Sequence, residues 1–246
     1  MSRTQQAVVD KIYNAFQDEK IVREIKKTGF SASALGWASG KCPRRWYFAF
    51  KGTEGEEMLT SYSRKNMANG TAMHEAIQEI LANDPDLNII VEEEIWHENP
   101  PLHGFIDGVI TADDGEEILL EIKSANDIAF AYRQTKFESA AYHKLQLLIY
   151  LKVKGKTLGL FLYENKNDYD DVLIPLFMDE ENQKYIDYVF DWMNEVYAEF
   201  ENDLVPDFFS GKRSNSKICK ECPFFTPCHD LGEVPGGKKI ELLVLP

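Results

Sequence analysis

The strongest constraint on the fold is a hairpin signal near the middle of the chain. Two runs with the composition of β-strands, 103–112 and 116–124, flank the sequence Asp113-Asp114-Gly115. A short Asp-Gly turn between two apolar runs is typical of antiparallel strands joined by a tight connection. The sequence therefore predicts that these two runs lie side by side in one sheet.

The hairpin would bring three charged side chains together. Asp107 stands in an apolar stretch, and Glu121 and Lys123 are two residues apart, so they share one face of their strand. Two close carboxylates repel each other unless a positive charge lies between them, and a divalent cation with oxygen ligands supplies that charge. Lys123 would then orient or help to deprotonate an attacking water. A purely structural network of the three charges is the alternative.

The other patterns predict that helices and strands alternate around this hairpin. We expect helices over 4–27, 63–82, 139–153 and 179–203, and further strands over 88–97, 157–164 and 171–178. Residues 204–246 are expected to be rich in loops. This order predicts a mixed α/β sheet with helices packed on it.

Two of the predicted helices carry polar side chains that suit a functional site. His74 lies near the inner face of helix 63–82, while Gln146 and Tyr150 are four residues apart and share a face of helix 139–153. A buried amide such as that of Gln146 needs hydrogen-bond partners. Ordinary core packing is the alternative for His74 and Tyr150.

Taken in order, these residues resemble the RecB-like branch of the PD-(D/E)XK nuclease superfamily. The matching motifs are His74, the G-x-x-D of GFID that ends at Asp107, the E-x-K of Glu121 and Lys123, and the Q-x-x-x-Y of Gln146 and Tyr150. The segment SASALGWASGKCPRRWYF is similar to the part of that branch in which a helix leads into Cys-Pro-Arg and aromatic residues. The resemblance covers about residues 31–230.

The resemblance implies a restriction-endonuclease-like core in a chain of three segments. Residues 63–203 would form the nuclease core, and an N-terminal helical segment, 1–62, would contribute Cys42. A cysteine-rich C-terminal segment, 204–246, would pack against the N-terminal one.

The resemblance also implies a role for each motif residue. The metal ion, Mg²⁺ or Mn²⁺, would be bound by His74, Asp107, Glu121 and the backbone carbonyl of Ile122. Lys123 would position the attacking water. Gln146 and Tyr150 would face the DNA backbone near the scissile phosphate.

Four cysteines indicate a second centre. Cys219, Cys222 and Cys228 have the spacing C-x₂-C-x₅-C, and Cys42 lies far upstream. Four thiolates can complete a tetrahedral metal site. The split of one plus three resembles the iron–sulfur subgroup of this nuclease branch, the CRISPR-associated RecB-like exonucleases among them, which implies a 4Fe–4S cluster. A structural Zn²⁺ and free cysteines remain alternatives.

The distribution of charge permits a nucleic-acid partner despite the net charge of −14. Residues 164–207 hold fourteen acidic residues and two lysines, so most of the negative charge lies there. The segments 41–51 and 212–220 each carry four basic residues and no acidic one. The candidate DNA contacts are Arg44, Arg45, Lys212, Arg213, Gln146 and Tyr150. The aromatic residues near the basic segments are expected to belong mostly to the core, with one or two as base contacts: Trp46, Tyr47, Phe48, Phe50, Phe224 and Phe225.

These observations together lead to a hypothesis of function. We expect a metal-dependent DNA exonuclease that acts on single strands or DNA ends, in recombination, repair, or CRISPR or viral DNA processing. A helicase, an integrase or a recombination protein is an expected partner. A non-catalytic iron–sulfur scaffold and an RNA nuclease are the alternatives. Because no signal peptide or membrane-spanning run is seen, we expect a cytoplasmic protein without a membrane partner.

Overall fold

The computed structural model describes residues 2–207, 217–234 and 237–246. The helices are α1 Arg3–Asn14, α2 Ala32–Leu35, α3 Pro43–Lys51, α4 Ser61–Ala82, α5 Asp127–Lys136, α6 Ala141–Lys154, α7 Glu180–Glu201, α8 Lys217–Lys220 and α9 Phe225–Leu231. The strands are β1 Glu19–Ile25, β2 Thr53–Leu59, β3 Ile89–Glu98, β4 Pro101–Thr111, β5 Glu117–Ala125, β6 Leu158–Asn165 and β7 Asp171–Phe177.

The central element is a five-stranded sheet in the order β3-β4-β5-β6-β7. All neighbouring strands are antiparallel except β5 and β6, which run parallel and are connected through α5 and α6. A parallel pair needs such a crossover, whereas the antiparallel pairs need only short turns. The prediction of a mixed α/β sheet with helices on it is confirmed.

The predicted hairpin is formed by β4 and β5. Gly115 adopts a φ of 87° in the turn, a backbone conformation that favours glycine. The paired register runs from Thr111↔Glu117 to Gly108↔Leu120 and then stops. The two strands therefore part immediately before Asp107 and Glu121.

Helices cover both faces of the sheet. On one face, Ile77 of α4 packs against Leu120 and Ile122 of β5. On the other face lies the larger core, to which α6 and α7 contribute most of their apolar residues. Because alternate residues of a strand point to opposite faces, Leu120 and Ile122 are buried on the α4 side and Glu121 points to the α6 side. The larger core also includes Phe30 and Ile240, so the N-terminal and C-terminal segments share it.

The prediction of one helix over 4–27 is wrong in its second half. Helix α1 ends at Asn14, and residues 19–25 form β1, which pairs with β2 along its whole length. The strand partner comes from residues 53–59, a run that we did not predict as a strand, so the local pattern was overridden by a distant pairing. Helix α1 buries none of its residues, and its apolar side chains Val8 and Ile12 are more than half exposed.

No helix among the described residues combines the length and apolarity that crossing a bilayer requires.

Candidate active site

Three carboxylates lie in one row across the open end of the hairpin. The pairs Val91↔Gly108 and Glu93↔Ile106 place Glu92 opposite Asp107 on the neighbouring strand. Asp107 accepts a hydrogen bond from the N–H of Ile122, the residue next to Glu121, and the charge of Asp107 acts on the Glu121 carboxyl group, so the two side chains lie close together although strand pairing has stopped. The sheet therefore brings Asp107 and Glu121 together, as the sequence predicted, and adds Glu92.

Asp107 fills the gap where the ladder between β4 and β5 stops. The backbone N–H of Ile122 donates to Asp107 Oδ2 at 2.7 Å, so the side chain replaces a missing strand partner. His74 Nδ1 lies 3.7 Å from Asp107 Oδ1, and the His74 ring is also within hydrogen-bonding reach of the Ile122 carbonyl. These contacts gather His74, Asp107 and Ile122 at one point.

Glu121 is fully buried and only half satisfied. Its Oε1 accepts a hydrogen bond from Gln146 Nε2 at 2.6 Å and forms an ion pair with the Lys123 ammonium. Its Oε2 is buried and has no hydrogen-bond partner in the described part of the protein. A buried carboxylate oxygen without a partner is costly, so this atom marks a position that favours a donor or a cation. We call His74, Asp107, Glu121 and Lys123 the carboxylate site.

Burial dominates the protonation of the carboxylate site. It raises the pKa of Glu121 to about 8, against the attraction of Lys123. Burial also raises the pKa of Asp107 and lowers that of His74. The pKa of Lys123 is raised, because the neighbouring carboxylates outweigh its own burial. The Lys123 ammonium thus stays charged, while burial favours the protonated forms of the two carboxyl groups. A bound divalent cation would favour their ionised forms instead.

Gln146 and Tyr150 approach the site from α6. Both are buried, and Gln146 is committed to Glu121. The hydroxyl of Tyr150 packs on the backbone of β4 at Gly104, where a Cβ would lie 2.8 Å from it. Burial, followed by the charge of Glu121, raises the pKa of Tyr150. Both side chains line a shallow pocket with His103 and Phe105, and their contact with a DNA backbone stays a prediction.

Lys123 is backed by a polar pair that the sequence did not reveal. Tyr163 is its partner residue in the β5–β6 register, and the Tyr163 hydroxyl accepts from the N–H of Ala140 at 3.2 Å. The same hydroxyl lies 2.8 Å from His143 Nδ1. Burial, then the positive charges of Lys123 and Arg133, lower the pKa of His143 to about 2, so the imidazole is neutral and its Nδ1 can accept a hydrogen bond from the Tyr163 hydroxyl.

Glu92 is the carboxylate that sequence reasoning missed. It adopts a φ of 53°, which is unusual for a residue with a side chain, within strand β3. Gln78 of α4 donates to Glu92 Oε1 at 2.7 Å and to the Asp107 carbonyl at 2.9 Å. Glu92 and His74 line the same surface groove. Three successive glutamates, 92–94, gave no local signal to single out the first of them.

The donor types at the carboxylate site suit a hard divalent ion. His74, Asp107, Glu121 and the Ile122 carbonyl offer the imidazole and oxygen ligands that such ions accept. Across residues 2–207, 217–234 and 237–246, no three or more His, Cys, Asp or Glu side chains form a group arranged to hold a metal ion. Binding of Mg²⁺ or Mn²⁺ therefore stays a prediction.

All four cysteines line one small cavity of about 50 Å³, which we call the cysteine cavity. Cys42 precedes α3, Cys219 belongs to α8, Cys222 follows it, and Cys228 lies in α9. All four are free thiols. Burial raises the pKa of Cys42 to about 11 and that of Cys222 to about 12, so both thiols are protonated in the absence of a metal. The tertiary structure thus gathers the cysteines, while the cluster itself stays a prediction.

Two arginines face the cysteine cavity in different ways. Arg44 is buried and donates to the carbonyls of Pro206 and Gly232, and its NH1 lies 3.7 Å from Cys228 Sγ. The Arg45 guanidinium packs over Trp46, and its buried Nε and NH1 have no hydrogen-bond partner among the residues that the structure describes. Arg44 is therefore inside the protein rather than on a DNA-binding surface.

The remaining candidates for DNA contact are two further basic residues and the aromatic side chains near the basic segments. Lys212 and Arg213 lie outside the described residues. Five of the six aromatic side chains near the basic segments are buried, as expected of a core: Trp46, Tyr47, Phe48, Phe50 and Phe224. Phe225 is the sixth and is partly exposed.

No protein-family model and no curated protein matches this chain. Among solved structures, it is similar to SSO0001, with 17% identity, a TM-score of 0.49, and coverage of 82% of this chain and 86% of that one. It is also similar to the alkaline exonuclease LHK-Exo from Laribacter hongkongensis, with 16% identity, a TM-score of 0.46, and coverage of 55% and 71%. For the complex of LHK-Exo with dAMP the values are 15%, 0.45, 71% and 92%. Likenesses this distant establish neither a family nor an activity for this chain.

Proposed function

We propose that this protein is a Mg²⁺- or Mn²⁺-dependent deoxyribonuclease that hydrolyses phosphodiester bonds at single-stranded DNA or at DNA ends. One observation carries the proposal. Asp107 and Glu121 lie close together where β4 and β5 part, with the Lys123 ammonium on Glu121 and a buried Glu121 oxygen that finds no partner among the described residues. This combination of acids and a cation suits the hydrolysis of a negatively charged ester.

Each residue of the carboxylate site has a distinct part in this mechanism. His74, Asp107, Glu121 and the Ile122 carbonyl would hold the metal ion, which supplies Lewis acidity and a nucleophilic water at neutral pH. Gln146 holds Oε1 of Glu121, which leaves Oε2 free to turn to the ion. Lys123, paired with Glu121, would keep a positive charge beside the reacting phosphate and would orient the attacking water. The Ile122 N–H fixes the rotation of the Asp107 carboxylate.

The decisive experiment compares two lysine variants on end-labelled DNA with Mn²⁺ or Mg²⁺. Lys123→Ala should reduce cleavage by about a hundredfold to a thousandfold, because a preorganised charge next to the reacting group is lost. Lys152→Ala is the matched control, since Lys152 forms an exposed ion pair with Asp187 on α7. Wild-type-like cleavage by Lys123→Ala would refute the mechanism. Substrates that differ in strandedness, end polarity and sugar would then define the substrate class and exclude or establish RNA cleavage.

The cysteine cavity is proposed to hold a 4Fe–4S cluster. Four thiols line one cavity, and beside them Arg45 presents buried N–H groups that have no acceptor within residues 2–207, 217–234 and 237–246. Bridging sulfides of a cluster would accept those hydrogen bonds, whereas a lone Zn²⁺ offers no acceptor beyond the thiolates. Protein purified without oxygen should be brown and contain iron and sulfide, and Cys222→Ala should be colourless. Stoichiometric zinc without iron would instead establish the structural zinc site.

A non-catalytic scaffold is the second candidate, and one observation favours it. Helix α7 packs its apolar face into the core and turns acidic side chains such as Glu180 and Asp187 to the solvent. Such a face repels DNA and suits a basic partner, which is how a helicase, an integrase or a recombination protein would dock. Absence of cleavage by the wild type on every substrate, together with capture of a basic partner by this face, would favour the scaffold.

A further inference from the structure

Two exposed rings and a half-buried imidazole form a continuous surface on β3 and β4, which we call the aromatic platform. Trp96 and Phe105 are 61% and 45% exposed, and His103 lies between them. Trp96 and His103 are partners in the strand register, and their rings stack with centroids 3.7 Å apart and an interplanar angle of 14°. The rings of His103 and Phe105 are 5.3 Å apart.

The aromatic platform is rigid before any ligand arrives. All three residues belong to paired strands rather than to loops. His103 Nε2 and Glu94 Oε1 lie 2.9 Å apart, so the imidazole is held in its stacked position by a carboxylate on the neighbouring strand. A preordered stack binds a flat ligand without first paying for the ordering of its side chains.

The aromatic platform begins at the carboxylate site. Phe105 precedes Asp107 by two residues on β4, a distance of about 7 Å along a strand. His103 and Phe105 also line one pocket with Gln146 and Tyr150, and Gln146 donates to Glu121. A strand whose phosphodiester lies at Asp107 and Glu121 would therefore pass directly over Phe105 and then His103 and Trp96.

Charge decides which side of such a strand faces the rings. Glu94 lies among the rings and Glu92 precedes it on the same strand. These carboxylates repel phosphates. The sugar–phosphate backbone of the bound strand would therefore lie away from the rings, and its bases would face the rings. Aromatic faces accept any base by stacking, with no requirement for sequence.

We propose that Trp96, His103 and Phe105 form a stacking surface for unpaired nucleobases of the strand that is cut. This proposal rests on the proposed nuclease function and deepens it, because it names unpaired bases as the recognised feature. Bases inside a duplex are already stacked on each other and cannot use the aromatic platform. Selection of single strands or frayed ends would then come from the platform, and cleavage from the carboxylate site.

Binding of an end-labelled oligothymidylate, measured by fluorescence anisotropy in EDTA, tests the proposal without cleavage. An abasic oligonucleotide of the same length serves as the second probe, since it keeps the phosphates and lacks the bases. Trp96→Ala or Phe105→Ala should weaken oligothymidylate binding about tenfold each, and the double variant more. Binding of the abasic probe should be weaker than that of oligothymidylate in the wild type and unchanged by the substitutions.

Two further variants control for nonspecific effects. Phe177→Ala removes an exposed ring, 58% accessible, from β7 at the opposite edge of the same sheet and should bind both probes as the wild type does. Trp96→Phe keeps a stacking face and should retain most of the affinity. A double variant that binds both probes like the wild type would overturn the proposal. The exposed rings would then be better explained as a contact surface for another protein.

Cleavage assays separate this proposal from the nuclease function. If the wild type cleaves DNA and the double variant cleaves it with an unchanged KM, the aromatic platform is refuted and the nuclease function stands. If the wild type cleaves no substrate, and the double variant binds oligothymidylate more weakly than the wild type, the platform stands and the nuclease function is refuted.

Discussion

The carboxylate site takes its residues from long elements of the main sheet and its helices, whereas the cysteine cavity takes its residues from short helices and from positions far apart in the chain. Gln146 and Ile122 anchor Glu121 and Asp107 by hydrogen bonds that need no bound ion. At the cysteine cavity, Arg45 keeps buried N–H groups that find no acceptor in the described part of the chain, and burial holds the thiols of Cys42 and Cys222 protonated. The fold by itself therefore orients the side chains of the carboxylate site, whereas the buried polar groups of the cysteine cavity would be satisfied only by the proposed cluster.

The largest effect is expected at the carboxylate site, and it tests whether the fold orients this site without a bound ion. Glu121→Gln should lower metal-dependent DNA cleavage by about a thousandfold, because the neutral amide cannot bind the ion as a carboxylate does. Its thermal unfolding without metal should match or exceed that of the wild type, since burial already favours the neutral form of Glu121. A large fall in thermal stability would show that the site is not organised independently of the ion.

The second prediction addresses the cysteine cavity. Cys222→Ala should lower the melting temperature of the loaded protein by several degrees, because the centre that joins α3 to α8 and α9 is lost. Differential scanning fluorimetry of protein purified without oxygen measures the change. The fall should be small in protein stripped of its cofactor, where Phe48 and Phe224 still pack the segment against α3. Equal losses in loaded and stripped protein would indicate packing alone.

The pH dependence of stability sharpens the contrast. The folded-state pKa of Glu121, about 8, lies above its ordinary value of 4.5, so its stabilising effect is complete below pH 4.5 and is lost as the pH rises toward 8. In EDTA, wild type should lose stability relative to Glu121→Gln over this range, by on the order of 1 kcal/mol per pH unit. Denaturant unfolding at several pH values measures the difference. Addition of Mn²⁺ should restore the stability of the wild type but not that of Glu121→Gln. A stability difference between the two proteins that does not change with pH would contradict the raised pKa of Glu121.

The smallest effect concerns the strained position in the carboxylate row. Glu92→Gly should raise the free energy of unfolding by about 0.5–1 kcal/mol, because glycine adopts a positive φ without steric cost. The same variant should cleave DNA more slowly, since a carboxylate beside Asp107 is removed. Ile90→Gly is the control on the same strand, and it should lose stability, because Ile90 has no positive φ. Destabilisation by Glu92→Gly would show that the backbone there is unstrained.

The long helices α4, α6 and α7 and the five strands of the main sheet were predictable because they depend on local patterns, whereas α5 was not predicted. The turn at Asp113-Asp114-Gly115 identified the β4–β5 hairpin, and the alternation in β5 correctly set Glu121 apart from Leu120 and Ile122. Strand β1 was missed because its partner, β2, is supplied by residues about thirty positions later. A strand that exists only through such a pairing carries no decisive local signal.

Sequence by itself determined the residue types of both centres and the order in which they occur, because motif spacing and strand alternation are properties of the chain alone. Tertiary structure decided that β4 and β5 part just before Asp107 and Glu121, that Glu92 joins them, and that Trp96, His103 and Phe105 stack beside them. These features depend on where strand pairing stops and which residues face each other across strands. Both are set by the packing of the whole sheet and cannot be read from neighbours in the chain.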